Sequence, residues 1–341
     1  MHEHPEFDDH EQVIFCRDAA AGLRAIIAIH STALGPAAGG CRMWPYASEE
    51  DALTDVLRLS RAMSYKNALA DLPLGGGKSV VIADPAKDKN EALLQAFARQ
   101  VDNLGGRYLT AEDVGVGMAD VEVMARVSKH VFGLPSTGDP SPFTARGAFQ
   151  GIRAAVRCKL GREELDGLSV AVQGVGRVGF ELAKLIHEAG AKLTVTDTDA
   201  AALERSVSSF GAIPVGVDAI YGQEVDVFAP CALGGVLNDN TISKLQAPIV
   251  AGVANNQLAE DRHGQILHEN GVLVAPDYVV NAGGMLNGSG DIFGSYDVSK
   301  VLPRIDKIYD RTLMILERSL AEDRPPHLIA DELAREKIAK G

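Results

Sequence analysis

The chain is poor in features that would assign it to several large classes. Its four cysteines, Cys16, Cys41, Cys158 and Cys231, lie far apart and form no Cys-x-x-Cys pair. They are too few for a disulfide scaffold at 341 residues, they fit a reducing compartment, and no metal site is expected. No apolar run reaches the roughly 18 residues that a membrane helix needs. No basic run accompanies the net charge of −13, so neither nucleic acid nor an anionic membrane is an expected partner. Met1 to Glu11 is rich in acids and histidines, the opposite of a basic and then apolar export signal. A cytoplasmic location is the expectation.

What is present is a well-filled globular composition, 46 % hydrophobic and 23 % charged. At 341 residues it exceeds the roughly 250–300 at which one core stops growing, so two domains are expected. The 35 glycines cluster in short runs such as Gly75-Gly76-Gly77 and Gly174-Val175-Gly176. Such runs read as places where a backbone is closely approached.

Ala25 to Ile29 reads as a strand and is followed by breaks at Gly35-Pro36 and Gly39-Gly40. Ser48 before Glu49, Glu50 and Asp51 is a helix start, and Leu53, Val56, Leu57, Ser60 and Met63 recur at helical spacing, predicting a helix over about 49–64. That helix delivers the chain to Lys66 and, twelve positions on, to Lys78. Thr137 to Pro142, with two prolines and a glycine, is the candidate domain boundary. Beyond it, strand-like runs at 168–173, 192–197, 225–229, 248–253 and 271–275 alternate with helical stretches. This is the pattern of a parallel sheet covered on both faces. Val301 to Lys340 reads as charged amphipathic helices able to pack back on the first domain.

The run Ser169 to Gln173 leads into Gly174-Val175-Gly176-Arg177-Val178-Gly179 and then a helix-forming stretch to about Glu188. In Gly-x-Gly-x-x-Gly the first glycine turns the chain, the second admits a pyrophosphate, and the third lets helix and strand close together. A second strand ends at Asp197, 18 residues past Gly179, where a ribose-binding carboxylate belongs. An acid there repels a 2′-phosphate and favours NAD over NADP, although neighbouring Thr198 softens the preference.

Lys66 and Lys78 stand in neutral-to-apolar surroundings, where burial and a neighbouring cation would bring an ammonium toward neutrality and make it a base. The glycines before Lys78 are read as clearing space for a ligand. Gly77-Lys78-Ser79 does not complete a phosphate-binding P-loop, because position 72 is leucine where a glycine is required.

Leu72 to Pro85 resembles the active-site signature of the glutamate/leucine/phenylalanine/valine dehydrogenases, at Leu72, Gly75-Gly76, Gly77, Lys78, Val80, Asp84 and Pro85. The resemblance extends over nearly the whole chain through Gly35 to Trp44, Tyr108 to Gly115, Ala229 to Gly234, Ala254 to Leu258 and Pro276 to Gly284, and is greatest to the leucine-acting branch. It implies an α/β fold with an N-terminal α/β substrate and oligomerisation domain over 1–137, joined by helices at about 310–341. A C-terminal Rossmann-type domain over 138–309 would follow, with the active site in the cleft between the two. It further implies that Lys66 holds the substrate carboxylate, that Lys78 is the catalytic lysine and that Asp113 is its acid/base partner. Gly40 and Asn256 would contact the substrate. Ala254, Asn255 and Asn256 would line the nicotinamide, Cys231 and Ala232 would lie along the dinucleotide, and Arg42 and Thr144 would also serve the cofactor. Family members assemble as dimers to octamers, so a homo-oligomer is expected.

The glutamate-acting branch places a lysine where this chain has Ala38, so the resemblance points to an apolar amino acid. Branched-chain substrates lead, with phenylalanine or tryptophan as the alternative, since a methylene is worth only about 1–3 kcal/mol. Met285 to Gly290 departs from the leucine-acting pattern near the expected side-chain pocket and is read as a stretch that could loosen the local loop. A non-catalytic NAD-binding sensor needs the dinucleotide site but not Lys66, Lys78 and Asp113. A hydroxy-acid dehydrogenase would need a His–carboxylate pair, and His30, His130, His187 and His268 read as surface or packing residues.

Overall fold

The structure, a computed structural model, describes residues 2–135, 138–294 and 296–341. Thr137, where the expected boundary segment begins, and Met1, which opens the acidic stretch, lie outside them. The chain forms two compact units. The first comprises Met1–Gly138, Gly288–Tyr296 and Ala334–Gly341, and the second Asp139–Asn287 and Asp297–Leu333.

The first unit is a mixed sheet with helices on both faces. In chain order it contains β1 (Gln12–Asp18), β2 (Leu23–Ser31), β3 (Ala37–Ala38), β4 (Cys41–Trp44), α1 (Glu49–Leu69), β5 (Gly75–Ile82), α2 (Glu91–Asp102), β6 (Tyr108–Leu109) and α3 (Met118–Ala125). The strands run in the order β1-β2-β5-β3-β6, and β4 continues along the β5 edge that β3 begins. Ile26 and Ala28 of β2 join a core with Leu53, Val56 and Leu57 of α1. Ile27 and Ile29, one residue out of phase, join the opposite core with Phe97 of α2 and Val121 of α3. Period-two alternation thus feeds two cores from one apolar strand.

Helix α1 starts as expected, with the Ser48 hydroxyl accepting from the Asp51 amide at 3.0 Å. It runs five residues beyond the expected end, to Leu69, because Ala68 and Leu69 continue the buried face. It stops where Asp71 takes the left-handed conformation (φ 52°) ahead of Pro73. Lys66 therefore sits within the last turn of the helix rather than after it.

The second unit opens with α4 (Ser141–Leu160) and then alternates β7 (Ser169–Gln173), α5 (Arg177–Glu188), β8 (Lys192–Thr196), α6 (Ala200–Phe210), β9 (Ile213–Pro214), β10 (Val227–Pro230), α7 (Asp239–Ile242), β11 (Ile249–Val250), α8 (Asp261–Glu269) and β12 (Leu273–Val274). All six strands are parallel in the order β12-β11-β10-β7-β8-β9. This is the doubly wound order of a Rossmann-type sheet, with its topological switch point between β7 and β10. Val170 and Val172 face one core and Ala171 the other. The α/β fold class read from the sequence holds for both units.

Five helices follow: α9 (Asp277–Val280), α10 (Gly283–Ile292), α11 (Val298–Asp306), α12 (Ile308–Glu322) and α13 (Pro326–Lys340). The expectation that 310–341 joins the first domain holds only at its end. Leu316 of α12 is buried in the core of the second unit with Ala148, Ile152 and Ala155 of α4, and only Ala334–Gly341 belongs to the first unit. There Arg335 donates to the Tyr65 hydroxyl (2.9 Å) and Lys337 pairs with Asp71. Gly288–Tyr296, expected in the second domain, likewise belongs to the first unit, and the chain passes between units at Gly138 rather than residue 137. The stretch Met285 to Gly290 is helical, within α10, with Asn287 and Ser289 buried, so it is not the loosened loop that was expected.

Candidate active site

In the first unit, the register of β5 decides which residues share a face. Lys78 lies opposite Ala28, and Ala28 and Val80 pack beneath α1, so Lys78 rises from the face that α1 covers. Lys66 lies half-buried in the last turn of that helix. The backbone of 109–114 runs beside 39–43, with amide bonds from Gly39 to Leu109, Cys41 to Ala111 and Met43 to Val114. This brings Asp113 alongside. Its Oδ2 stands 2.9 Å from Lys78 Nζ, and both side chains are largely withdrawn from water.

Arg42 completes the cluster. Its Nε donates to the same Asp113 oxygen at 3.2 Å, and Nη1 donates to Asp55 of α1 at 2.9 and 3.3 Å. Tyr46 donates to Asp55 at 2.5 Å. Burial works to raise the Asp113 pKa, but the charges of Lys78 and Arg42 outweigh it and hold the carboxyl well below the ordinary carboxylate range. Lys78 is thus paired with an anion, Asp113, whose Oδ2 it shares with Arg42, and not with the neighbouring cation that the sequence suggested. Asp55 and Tyr46 were not read from the sequence, because nothing in their spacing ties them to residues 42 or 113.

The glycines before Lys78 do not clear space for a ligand, as the sequence suggested, because protein fills that space. A Cβ on Gly75 would lie 2.0 Å from the Ser31 carbonyl oxygen, one on Gly76 2.0 Å from the Ser64 amide nitrogen, and one on Gly77 2.8 Å from the Tyr108 ring. Gly40 behaves likewise, since its Cβ would meet the Glu112 carbonyl at 2.2 Å. Its small size lets the loop carrying Asp113 close on β4. His30 is buried with Nδ1 2.8 Å from the Ser64 hydroxyl, but its Nε2 also lies 3.6 Å from Asp8, a His–carboxylate contact that the sequence reading did not expect.

In the second unit, the other predicted residues gather at the carboxyl ends of the parallel strands. Gly174 adopts φ 93°, and a Cβ there would sit 2.8 Å from Ala232, the residue after Cys231 in the turn that follows β10. Gly179 is pressed onto the Gly174 carbonyl, 1.9 Å from an added Cβ. Around Gly176, no atom of the described residues beyond its own stretch of chain lies within 4 Å of an added Cβ, and no side chain caps α5. The amides at Arg177 and Val178 thus open a helix N-terminus next to empty space, which is the cradle a pyrophosphate needs. Asp197 closes the loop from the side. Its Oδ2 accepts the Val175 amide at 2.7 Å and its Oδ1 the Asp199 amide at 2.9 Å, with exposed Thr198 between.

Farther along the same edge, the Ala254 amide donates to the Pro230 carbonyl. Asn255 Oδ1 accepts from Asn281 at 2.9 Å, and Asn256 takes φ 51° with its amide on Asp277 at 2.9 Å. Thr144 lies on α4 with its hydroxyl donating to the Pro140 carbonyl at 3.1 Å and close to Gly284, where an added Cβ would come within 2.6 Å of it. Asp277 and Asn281 were quoted in the sequence pattern but given no role. They are the groups that set the two asparagines.

Two sequence profiles match: the Glu/Leu/Phe/Val dehydrogenase dimerisation domain over residues 10–130, and the glutamate/leucine/phenylalanine/valine dehydrogenase domain over 202–292. Leucine dehydrogenase of Geobacillus stearothermophilus is 49 % identical, covering 99 % of this chain and 93 % of that protein. Phenylalanine dehydrogenase of Bacillus thermotolerans is 46 % identical over 90 % of this chain and 83 % of that protein. The crystal structure of L-tryptophan dehydrogenase from Nostoc punctiforme superposes with a TM-score of 0.82 at 44 % identity, covering 97 % of this chain and 96 % of that one. With near-full-length identity of this order added to the Lys78 site and the doubly wound unit, the chain belongs to the glutamate/leucine/phenylalanine/valine dehydrogenase family and is an amino-acid dehydrogenase, an oxidoreductase.

Proposed function

We propose that the protein oxidatively deaminates an apolar L-amino acid, leucine or another branched-chain residue, to its 2-oxo acid and ammonia with NAD. The observation that carries this reading is the buried cluster of Lys78, Asp113 and Arg42, a lysine and an arginine on one carboxylate oxygen. The dinucleotide, when bound, accepts the hydride from the substrate Cα. Gly174 to Gly179 would hold its pyrophosphate, Asp197 its ribose, and Cys231, Ala232, Thr144, Ala254 and Asn255 would lie along it. Asp197 disfavours a 2′-phosphate by charge.

Lys66 would bind the substrate carboxylate and Asn256 the amino group. A neutral Lys78 amine would take a proton from the water that attacks the iminium carbon; the ammonium so formed would protonate the amino group and take back the hydroxyl proton as the C–N bond breaks and ammonia leaves, with Asp113 holding that ammonium in place. Lys78 and Arg42 hold the Asp113 carboxyl well below its ordinary range, so its part would be to orient the lysine and balance the charge that forms on it. That is narrower than a proton shuttle. Ala38, fully buried on β3, leaves no cation for a second substrate carboxylate at that position. The fit to a tryptophan dehydrogenase fold favours an aromatic substrate as the second reading.

We further infer a homo-oligomer and a cytoplasmic enzyme. No helix among the described residues is long and apolar enough to cross a membrane. Light scattering on a sized sample tests the assembly, and a clean monomer would overturn it. The function is tested by following NAD⁺ reduction with leucine, valine, isoleucine, phenylalanine, tryptophan and glutamate in turn. Turnover on a branched-chain substrate supports the reading, and preference for an aromatic one moves it to the alternative. Silence on all six with NAD bound would favour a sensor.

A further inference from the structure

Asp113 is held by more than its lysine. One oxygen, Oδ2, is shared by Lys78 at 2.9 Å and Arg42 Nε at 3.2 Å. Arg42 lies on β4 and is fixed from its other side by Asp55 of α1, to which Tyr46 also donates. An exposed pair of this kind would contribute little. Here the side chains of Arg42, Asp55 and Asp113 are only 18, 23 and 14 % exposed, so each bond acts in a medium of reduced dielectric.

We propose that Arg42 is a positioning residue for the reaction: anchored on α1 by Asp55 and Tyr46, its guanidinium holds the Asp113 carboxylate against Lys78. The proposal rests on reading Lys78 and Asp113 as the working pair. Only a planar, multiply donating cation can bridge two carboxylates that approach from different elements, which a lysine's single ammonium cannot do in the same geometry. Arg42 thereby acts on the chemistry from within its own unit, through Asp113, rather than by touching the dinucleotide.

Burial pushes the Cys41 thiol up to about 12 and the Tyr108 phenol above its ordinary range, on the opposite face of the sheet. Burial and Asp55 raise Tyr46, while burial acts against the charge on Arg42 and is outweighed by Asp113 and Asp55.

The test follows the carboxyl carbon of Asp113 by NMR in the full-length protein with ¹³C-labelled aspartate, assigned by its loss in Asp113→Asn. No substrate or dinucleotide is added. Arg42→Gln is expected to raise the Asp113 titration midpoint by at least about one pH unit and to lower kcat about tenfold or more. The KM for the dinucleotide should stay within about threefold. Arg42→Lys keeps the charge, so it should move the midpoint less while still lowering kcat. Tyr46→Phe removes one bond and should lower kcat more mildly. These two variants carry the test should Arg42→Gln fail to fold by circular dichroism. An unmoved midpoint overturns the proposal, as does a raised dinucleotide KM with kcat intact, which would give Arg42 to the cofactor. Normal turnover by Asp113→Asn overturns the reading of the pair itself, and the midpoint in the Arg42 variants distinguishes that failure from this one.

Discussion

Two runs of glycine, Gly75 to Gly77 in the first unit and Gly174 to Gly179 in the second, look alike as sequence and do different work. Each glycine of the first run is small because protein presses on it: the Ser31 carbonyl, the Ser64 backbone and the Tyr108 ring. The second run divides its labour. Gly174 and Gly179 are pressed by protein, while Gly176 faces open space. A glycine that lets two elements close is a packing residue even when a catalytic lysine follows it. A glycine with nothing opposite, at the free amides of a helix N-terminus, leaves room for a ligand to approach.

The sharpest way to break this comparison is at Lys78, which the first run delivers. Lys78→Ala should lower turnover by about 10²–10⁴-fold, the usual worth of a positioned proton-transfer group. Its dinucleotide dissociation constant should not change, because that site belongs to the second unit. Near-normal turnover would leave Gly75 to Lys78 as structure alone.

Next comes Gly76→Ala. Its Cβ would meet the backbone nitrogen of Ser64 at 2.0 Å, and backbone in the middle of α1 cannot retreat cheaply. Overpacking of this kind costs about 1–3 kcal/mol or more. Thermal melting should show a loss of several degrees, together with lower activity through displacement of β5. An unchanged melting point would mean that α1 can shift, and that the first run is as open as Gly176.

The same contrast explains what could be read from sequence. In the Gly174 to Gly179 loop, the atom that presses Gly179 belongs to Gly174, five residues away, and Asp197 follows after one strand. Local spacing therefore carried the geometry, and the doubly wound order followed from alternating strands and helices. In the first unit the neighbours of Gly75 to Gly77 come from residues 31, 64 and 108, and Arg42 meets Asp55 and Asp113 only in three dimensions. A spacing rule has no access to such contacts. Lys78 was a candidate base from its apolar surroundings, but its pairing with Asp113 came only through family resemblance, and the ends of the units, at Gly288–Tyr296 and Ala334–Gly341, were not legible at all.

On the side of the second run, Asp197→Ala tests whether the loop is a ligand site or only a turn. Asp197 already accepts the Val175 and Asp199 amides, so its loss both loosens the loop and removes a partner for ribose. A charge-assisted hydrogen bond is worth about 1.5–3 kcal/mol, so the KM for NAD should rise about tenfold or more, with kcat little changed. If KM does not move, the carboxylate serves the turn only.

The smallest effect, and the one that separates the two runs most directly, is expected from Gly176→Ala. Position 176 has φ −64°, which an alanine adopts without the left-handed penalty, and no atom of the described residues beyond its own stretch of chain lies within 4 Å of the new methyl. Stability should therefore stay within about 0.5 kcal/mol of the parent, as for a surface substitution that touches nothing. The methyl nevertheless stands where a pyrophosphate would approach the amides at the start of α5, so dinucleotide affinity should fall by about tenfold or less. Measured together, the melting point and the dissociation constant give opposite signatures for Gly76→Ala and Gly176→Ala: the first loses stability, the second only affinity. If Gly176→Ala instead lost stability at unchanged affinity, the open space beside α5 would be a packing defect of the turn, and the two glycine runs would be the same device.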